Sequence, residues 1–346
     1  MATTSTAAVP SPTSPSQEDE EAKKIILADE GDVIILLLDR AEIRVSSAIL
    51  SQASPVFKKM LGPHLLEGQG PRSSEQPKEI KLHDDEPNAL EMLLKLVHFH
   101  DVEDVAVTPS GLLGLAVLAD KYDCAKSLTL MAEALLKRCS DGAVIVESDK
   151  VPYFGRLATA AYLLRCKNLF IRYTRILALS CTASCLDIAE LGDCDSLPNS
   201  VICGLEEQRK SAREYLVDAI AHRTSAKCQH PGCPHYSPTT RFVTEITRLT
   251  STSQWPPSWN CTDLELLVVR LGRGADIQLG HSFDTCGHAR NPKILSGSAL
   301  EEICTEVRIR AHGMCLPCAR QDKLQSRCEH VQELKTLAAG DLYMRS

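Results

Sequence analysis

The chain has 346 residues, of which 44% are hydrophobic and 24% charged, so it holds enough apolar material for two or three domains with their own cores. Its formal net charge of −7 excludes nucleic-acid binding by phosphate neutralisation, and an aromatic content of 4% leaves few side chains for base stacking. We find no signal-peptide pattern and no apolar run as long as a membrane span. We therefore expect an intracellular protein of the cytoplasm or nucleus, without a membrane or nucleic-acid partner.

The first residues, 1–24, predict a disordered tail, because they are rich in Ser, Thr and Pro and end in an acidic run. Order begins near Ile25, and an apolar, β-type run at 32–38 is followed after a short turn by an alternating stretch at 42–45. This pair predicts a hairpin whose second strand has one buried face. Two short helices follow, each preceded by a serine that can cap it, Ser46 and Ser54.

The next elements complete a domain at 25–140. A Gly- and Pro-rich stretch at 62–78 predicts an exposed loop, and 79–82 predicts a short strand. Three further helices are predicted, at 84–100, 111–122 and 125–139. Helices packed on one small mixed sheet give an α+β fold with no obvious deep pocket.

The residues at fixed places in this domain resemble the BTB/POZ domain family. The resemblance lies in five motifs: Gly31-Asp32-Val33, Ile43-x-Val45-Ser46-Ser47-Ala48-Ile49-Leu50, Ser54-Pro55-Val56-Phe57-Lys58-Lys59-Met60-Leu61, Ile80-x-Leu82-x-Asp84-Asp85-x-Pro87 and Leu118-Ala119-Asp120-Lys121-Tyr122-Asp123-Cys124. The last motif has a form common among fungal members. Together the motifs cover about a third of the chain.

The resemblance implies a protein–protein interaction module rather than an enzyme. It implies self-association as a homodimer and capture of protein partners, with a ubiquitin-ligase adaptor on a cullin-type scaffold or a transcriptional scaffold as the expected outputs. The sequence departs from the family at three places. Ser46-Ser47 stands where the family has His-Lys, Leu65-Leu66-Glu67 stands in place of its F-x-E motif, and His98-Phe99-His100 stands at the family's aromatic end of the fourth helix. These departures concern the surfaces for dimers and cullin scaffolds, not the fold.

Beyond Asp149 the pattern is helical. It divides into a helical region at 150–225 and a Cys/His-rich, mostly α-helical region at 226–346. Helices are predicted at 155–179, 203–223, 240–249, 261–271 and 298–310. Turn-rich stretches separate these helices, and the sequence contains no internal repeat.

Cysteine and histidine are concentrated in the second of these regions. Residues 228–330 hold eight of the 15 cysteines and six of the 11 histidines. They come in closely spaced pairs, which lets two turns each supply half of the four N or S donors of a tetrahedral zinc ion. The predicted ligands are Cys228, Cys233, Cys286, His288, Cys315, Cys318, Cys328 and His330. His230 and His235 are further candidates, and the sequence neither assigns donors to sites nor counts the ions.

Three other interpretations apply to these residues. Cysteines in or beside helical segments are expected to be buried free thiols: Cys124, Cys139, Cys166, Cys181, Cys185, Cys203, Cys261 and Cys304. Cys315-Leu316-Pro317-Cys318 resembles a thioredoxin-type redox pair, but that motif follows a strand, and here a predicted helix precedes it. A catalytic zinc ion keeps a position for water, whereas a thiolate-rich donor set favours a closed structural ion.

The sequence therefore predicts a non-enzymatic interaction protein. Its BTB/POZ-like domain associates with itself or recruits partners, and structural zinc holds the C-terminal region. In this interpretation the segment 228–235 shares its metal with residues about fifty to a hundred positions downstream. The alternative is a zinc-dependent enzyme in the C-terminal region.

Overall fold

The structure, a computed structural model, describes residues 23–38, 41–102, 107–141, 143–224, 263–274, 297–321 and 328–340. Most of the predicted tail and the helix predicted at 240–249 lie outside these residues. Among the described helices, none has the length and apolar character needed to cross a bilayer.

A four-stranded mixed sheet lies near the N-terminus. Its strands are β1 (Lys24–Ile26), β2 (Val33–Leu36), β3 (Glu42–Val45) and β4 (Lys78–Lys81), in the spatial order β1-β3-β2-β4. β2 and β3 are antiparallel, which confirms the predicted hairpin, while β1 runs parallel to β3 and β4 parallel to β2. Val33, Ile35 and Ile43 are at most 1% exposed, so one face of the sheet forms core. Strand β1 is not among the predicted elements.

Five helices in this domain share a core with that face of the sheet. They are α1 (Ser47–Ala53), α2 (Pro55–Met60), α3 (Pro87–Val97), α4 (Pro109–Lys121) and α5 (Ala125–Ser140). Three of them begin with proline, which has no amide hydrogen to satisfy and a φ that suits the first helical position. The preceding side chain caps each one; for example, Ser54 accepts from the amide of Phe57 at 3.0 Å. These caps set the helix starts.

The end of α3 is held by a histidine, His98, that is hydrogen-bonded through both ring nitrogens. The Nδ1–H of His98 donates to the carbonyl of Leu94 at 2.9 Å, and its Nε2 accepts from the amide of Ser46 at 3.0 Å, just before α1. Between His98 and His100, Phe99 takes a left-handed φ of 61° with its side chain exposed. The predicted helix 84–100 therefore ends at Val97, because a left-handed residue cannot continue it.

Seven helices follow the first domain in the described part of the chain. They are α6 (Lys150–Leu163), α7 (Lys167–Ser180), α8 (Asn199–Thr224), α9 (Leu264–Gly274), α10 (Gly297–Arg310), α11 (Leu316–Arg320) and α12 (Val331–Gly340). A single long helix at 155–179 was the prediction, and it is wrong. Arg165 adopts a left-handed φ of 61° and separates α6 from α7. No glycine or proline marks this break, so the sequence offered no signal for it.

The helical region packs directly on the first domain. Helix α6 lies against α4 on one side and against α7 on the other. One connected apolar core runs from Leu27, next to β1, to Ala319 in α11. The division of the chain at about 140–150 remains a prediction from sequence.

Candidate metal centre

The backbone that leads into the cysteine-rich end is held by two side chains from neighbouring helices. Gln208 of α8 donates to the carbonyl of Gly313 at 3.0 Å and accepts from its amide at 3.1 Å. The amide of Met314 donates to Oγ1 of Thr174 in α7 at 2.9 Å. These three bonds are buried, and they fix the chain just before Cys315.

Gly313 stands at a position where only glycine fits, because the chain comes close to α7 there. Its φ is +84°, and a Cβ added there would lie 2.6 Å from the carbonyl oxygen of Ile171. Glycine has no Cβ and adopts positive φ without penalty. Gly313 thus lets the chain lie directly on α7.

Two helix starts supply two potential donors each. Cys315 lies at the N-terminal boundary of α11, and Cys318 follows one turn later, so both thiols are on one side of this short helix. Cys328 and His330 come just before α12, where the amide of Leu334 donates to the carbonyl of His330 at 3.0 Å. We call Cys315, Cys318, Cys328 and His330 the four-donor cluster.

The donor atoms of the cluster all lie within 4.8 Å of one another. Sγ of Cys318 is 3.2 Å from Sγ of Cys328 and 3.7 Å from Nδ1 of His330, while Sγ of Cys315 is 3.5 Å from the same nitrogen. Tetrahedral donors at zinc bond lengths of about 2.0–2.3 Å are separated by roughly 3.3–3.8 Å. The two sulfur–nitrogen distances lie in this range and the sulfur–sulfur distance lies just below it, so the spacing is close to that of the donors of one metal ion.

The cluster is buried against α7. Cys315, Cys318 and Cys328 are 2%, 6% and 8% exposed, and His330 is half-buried. Ile171 of α7 and Leu334 of α12 complete this small core. Because water is largely excluded, a charge placed here is stabilised mainly by its ligands.

The three thiols differ in pKa. Burial raises the pKa of Cys328 to about 12, and its hydrogen bond with Cys318 adds to the rise. Burial also raises the pKa of Cys315. For Cys318, burial is outweighed by hydrogen bonds with His330, Cys328 and Cys315, so its pKa lies below the ordinary value. A cation that binds all three sulfur atoms must therefore displace protons from the other two thiols.

The structure thus brings together four of the predicted ligands, all within sixteen residues of the chain. The other four, Cys228, Cys233, Cys286 and His288, lie outside the described residues, as do His230 and His235. The four donors of the described cluster include no residue of the segment 228–235. Thr174 and Gln208, which position the cluster, were missed because single polar residues carry no pattern.

The free thiols expected in the helices are mostly buried. Cys124, Cys139, Cys166, Cys181, Cys185 and Cys304 are buried as predicted, and Cys261 lies outside the described residues. Cys203 is exposed, so that prediction is wrong. Helix α8 turns Val201, Ile202 and Leu205 to the core, which leaves Cys203 on its solvent side.

The loop before β4 carries the other candidate interaction site. Leu65 and Leu66 are 46% and 79% exposed, where a short 3-10 helix at Leu66–Gly68 begins. These are the positions at which the sequence departs from the F-x-E motif. Exposed leucines next to each other are a common feature of protein-binding surfaces.

Comparison with known families identifies the BTB/POZ domain in residues 27–138, which confirms the resemblance noted in the sequence. The matched residues contain β2, β3 and β4 and nearly all of α1–α5. A search of curated proteins finds no match to the chain.

Proposed function

Because residues 27–138 form a BTB/POZ domain, typically a non-enzymatic protein–protein interaction module, we propose that this protein recruits partners or associates with itself through that domain. The family match, together with the mixed sheet and its helical cover, is the observation that supports this proposal. The output is a ubiquitin-ligase adaptor or a transcriptional scaffold. We place it inside the cell, in the cytoplasm or nucleus, because its buried thiols suit a reducing compartment.

Self-association can be measured directly. We expect sedimentation of the purified full chain to give a mass of twice 37.9 kDa, which dissociates on dilution. A monomer at all accessible concentrations would argue against the homodimer and leave partner recruitment as the remaining form of the proposal.

The ligase-adaptor output is tested through the exposed leucines. Leu66→Glu places a charge on the BTB/POZ surface, and Leu337→Glu, also an exposed leucine (52%), places the same charge on α12. If the domain docks on a cullin-type scaffold through this loop, Leu66→Glu abolishes co-purification of the scaffold and Leu337→Glu does not. Equal recovery with both variants would favour the transcriptional scaffold.

For the C-terminal region we propose a structural zinc ion in the four-donor cluster. Three thiolates and one imidazole are a common zinc donor set. A [2Fe–2S] cluster divides its four protein ligands between two irons, whereas these donor atoms all lie within 4.8 Å of one another. The compact spacing therefore favours a single ion.

The same donor set favours a structural over a catalytic ion. Four protein donors fill tetrahedral coordination, while a catalytic zinc ion has three protein donors and a water. The zinc-dependent enzyme, the second candidate function, requires one of the four to be absent from the ion. Cobalt(II) substitution checks this, because a closed site keeps its visible spectrum when cyanide is added and an open site does not.

The remaining predicted ligands, Cys228, Cys233, Cys286 and His288, form a second set of three thiols and one imidazole, and from the sequence we propose that they bind a second zinc ion. Metal analysis of the full chain should then give two zinc ions. Cys315→Ser should lose one of them, and Cys203→Ser, at an exposed thiol outside the cluster, should lose none. A single ion that is lost in Cys315→Ser would remove the second set, and a single ion kept in that variant would remove the four-donor cluster as a zinc site. No ion in the parent protein would remove zinc altogether.

A further inference from the structure

Two sulfur atoms of the four-donor cluster are close enough to react with each other. Sγ of Cys318 and Sγ of Cys328 are 3.2 Å apart. A disulfide has an S–S distance of about 2.0 Å, so a displacement of roughly 1.2 Å would join them. Cys318 lies in α11 and Cys328 lies just before α12, so a bond between them would link the two helices covalently.

We propose that the four-donor cluster is also a site of reversible oxidation, at which a peroxide joins Cys318 to Cys328 and releases the metal ion. This inference rests on the proposed function, because a bound zinc ion keeps both sulfur atoms in the thiolate form. The thiolate is the nucleophile in thiol oxidation.

The other buried cysteines of the described chain lack this activation. Burial raises the pKa of Cys124 and of Cys166 to about 12, and the pKa of Cys304 to about 11. At neutral pH these thiols keep their protons and react slowly with peroxide. Among the buried thiols of the described residues, oxidation is therefore directed to the cluster.

Exposure to solvent also favours oxidation at the cluster over oxidation at the fully buried thiols. Cys318 and Cys328 are 6% and 8% exposed, whereas Cys124 and Cys166 are 0% exposed. His330, the fourth donor, is half-buried and forms the more open side of the cluster. A molecule as small as hydrogen peroxide can approach from that side.

The reaction balances with hydrogen peroxide as the only oxidant. The Cys318 thiolate attacks one peroxide oxygen, the O–O bond breaks, hydroxide leaves and Cys318 becomes a sulfenic acid. The Cys328 thiolate then attacks that sulfur, the S–S bond forms and a second hydroxide leaves. The two sulfur atoms lose two electrons, and the two hydroxides take up two protons to give water. A zinc ion in the cluster would then have only Cys315 and His330 as protein donors, too few to hold it.

Loss of the ion loosens α12. This helix has 10 residues, and an isolated helix of that length is marginal in water. Its large buried side chain is Leu334, which packs with Ile171 and the cluster. The packing of α12 against α10, the bond from Arg175 to the carbonyl of Ala338 at 3.1 Å and the exposed ion pair of Lys167 with Glu333 remain, and exposed pairs contribute little. Oxidation thus removes the contribution of the metal to the stability of α12 and leaves these contacts.

The test uses the zinc-loaded full chain. Zinc is counted first; hydrogen peroxide is then added, released zinc is followed with a chromogenic chelator, and disulfides are mapped by mass spectrometry after alkylation. We expect one zinc ion released for each Cys318–Cys328 disulfide, with Cys124 and Cys166 still reduced. Dithiothreitol followed by zinc should restore the starting state.

A variant separates this pair from the rest of the protein. Cys328→His keeps four donors and removes one sulfur of the pair, so we expect zinc to be retained and its peroxide-driven release to slow by roughly tenfold. Cys203→Ser, outside the cluster, should release zinc as the parent does. If Cys328→His fails to bind zinc, the mapped disulfide in the parent protein still decides the matter.

The outcomes distinguish the two proposals. Protein with no zinc before peroxide is added contradicts the structural-zinc proposal, and the oxidation proposal falls with it. Zinc-loaded protein that forms no Cys318–Cys328 disulfide, or that loses Cys124 and Cys166 thiols first, contradicts only the oxidation proposal. A disulfide with stoichiometric zinc release supports both.

Discussion

The BTB/POZ domain and the C-terminal end of the described chain are stabilised by different means. In the domain, a sheet face and five helices share a continuous core of aliphatic side chains, with Leu90, Leu93 and Leu112 fully buried. Around the four-donor cluster, the local core consists of Ile171, Leu334 and three cysteines. The first region can hold itself by apolar burial. The second has fewer apolar side chains, so under the zinc proposal its order would depend in part on the ion that its donors bind.

Removal of the metal should give the largest difference between the two regions. Structural zinc contributes roughly 10–16 kcal/mol in small zinc domains near neutral pH, and here that free energy would hold α12 and the turn at Met314. We expect a chelator to abolish hydrogen-exchange protection in Val331–Gly340 and to leave β2 and β3 protected. Equal loss of protection in both regions would show that the domain also depends on the metal.

A substitution in the core of the BTB/POZ domain should destabilise the first region and leave the metal site unchanged. Leu90 in α3 is 0% exposed, and Leu90→Ala should lower the free energy of unfolding by about 2–5 kcal/mol through lost burial and the cavity left behind. Zinc content should not change. Leu130→Ala is the matched control, because Leu130 is 83% exposed on α5 and its truncation removes little buried area. A loss of zinc in Leu90→Ala would mean that the two regions unfold as one unit.

The approach of Gly313 to α7 offers a smaller test. Gly313→Ala places a Cβ 2.6 Å from the carbonyl oxygen of Ile171 in a left-handed backbone, a conformation that alone costs roughly 1–2 kcal/mol for a residue with a Cβ. We expect weaker zinc binding in a chelator competition, together with faster exchange of the Met314 amide. Gly192→Ala should change neither, because no atom lies within 4 Å of the added Cβ and its φ is not positive.

The sequence was a better guide to the first region than to the second. Alternating apolar residues predicted the hairpin, and Ser46 and Ser54 predicted the starts of α1 and α2, because these signals are local. Only Ser54 caps its helix with its side chain, so the cap expected of Ser46 is wrong. Strand β1 has only three residues and pairs with residues eighteen positions further along the chain, which a local pattern does not reveal. The break at Arg165 was missed for a related reason, since the apolar pattern continues through it.

For the candidate site, cysteine and histidine spacing named the donors but could not divide them into sets. The described grouping joins Cys315 and Cys318 to Cys328 and His330, which are near in sequence. The support comes from α7 and α8, whose Thr174 and Gln208 lie more than a hundred residues upstream. Such contacts depend on how the helices pack, so no spacing rule could have found them.

The smallest expected effect concerns His98 and the pH dependence of the BTB/POZ domain. Burial lowers the pKa of His98, with a further contribution from nearby His100, although its hydrogen bond to Leu94 opposes the change. The folded domain therefore holds His98 neutral, and its Nε2 can accept from the amide of Ser46 only in that form. Because the folded pKa lies below the unfolded value of about 6.5, His98 stabilises the fold above that pH. This contribution is lost as the pH falls through the folded pKa.

Each unit of pKa difference corresponds to about 1.4 kcal/mol, so the effect is modest, and it should be local. Lowering the pH from 7.5 to 5.5 should speed hydrogen exchange of the Ser46 amide in the parent protein. His98→Gln can still accept through its amide oxygen and does not titrate, so the same amide should show a smaller change, after correction for the intrinsic pH dependence of exchange. An identical change in both proteins would exclude His98 as the cause. Acid would also release zinc from the four-donor cluster, and chelator-treated protein keeps His98 but lacks the metal. If the Ser46 amide still responds to pH after chelation, the response comes from His98 and not from loss of zinc.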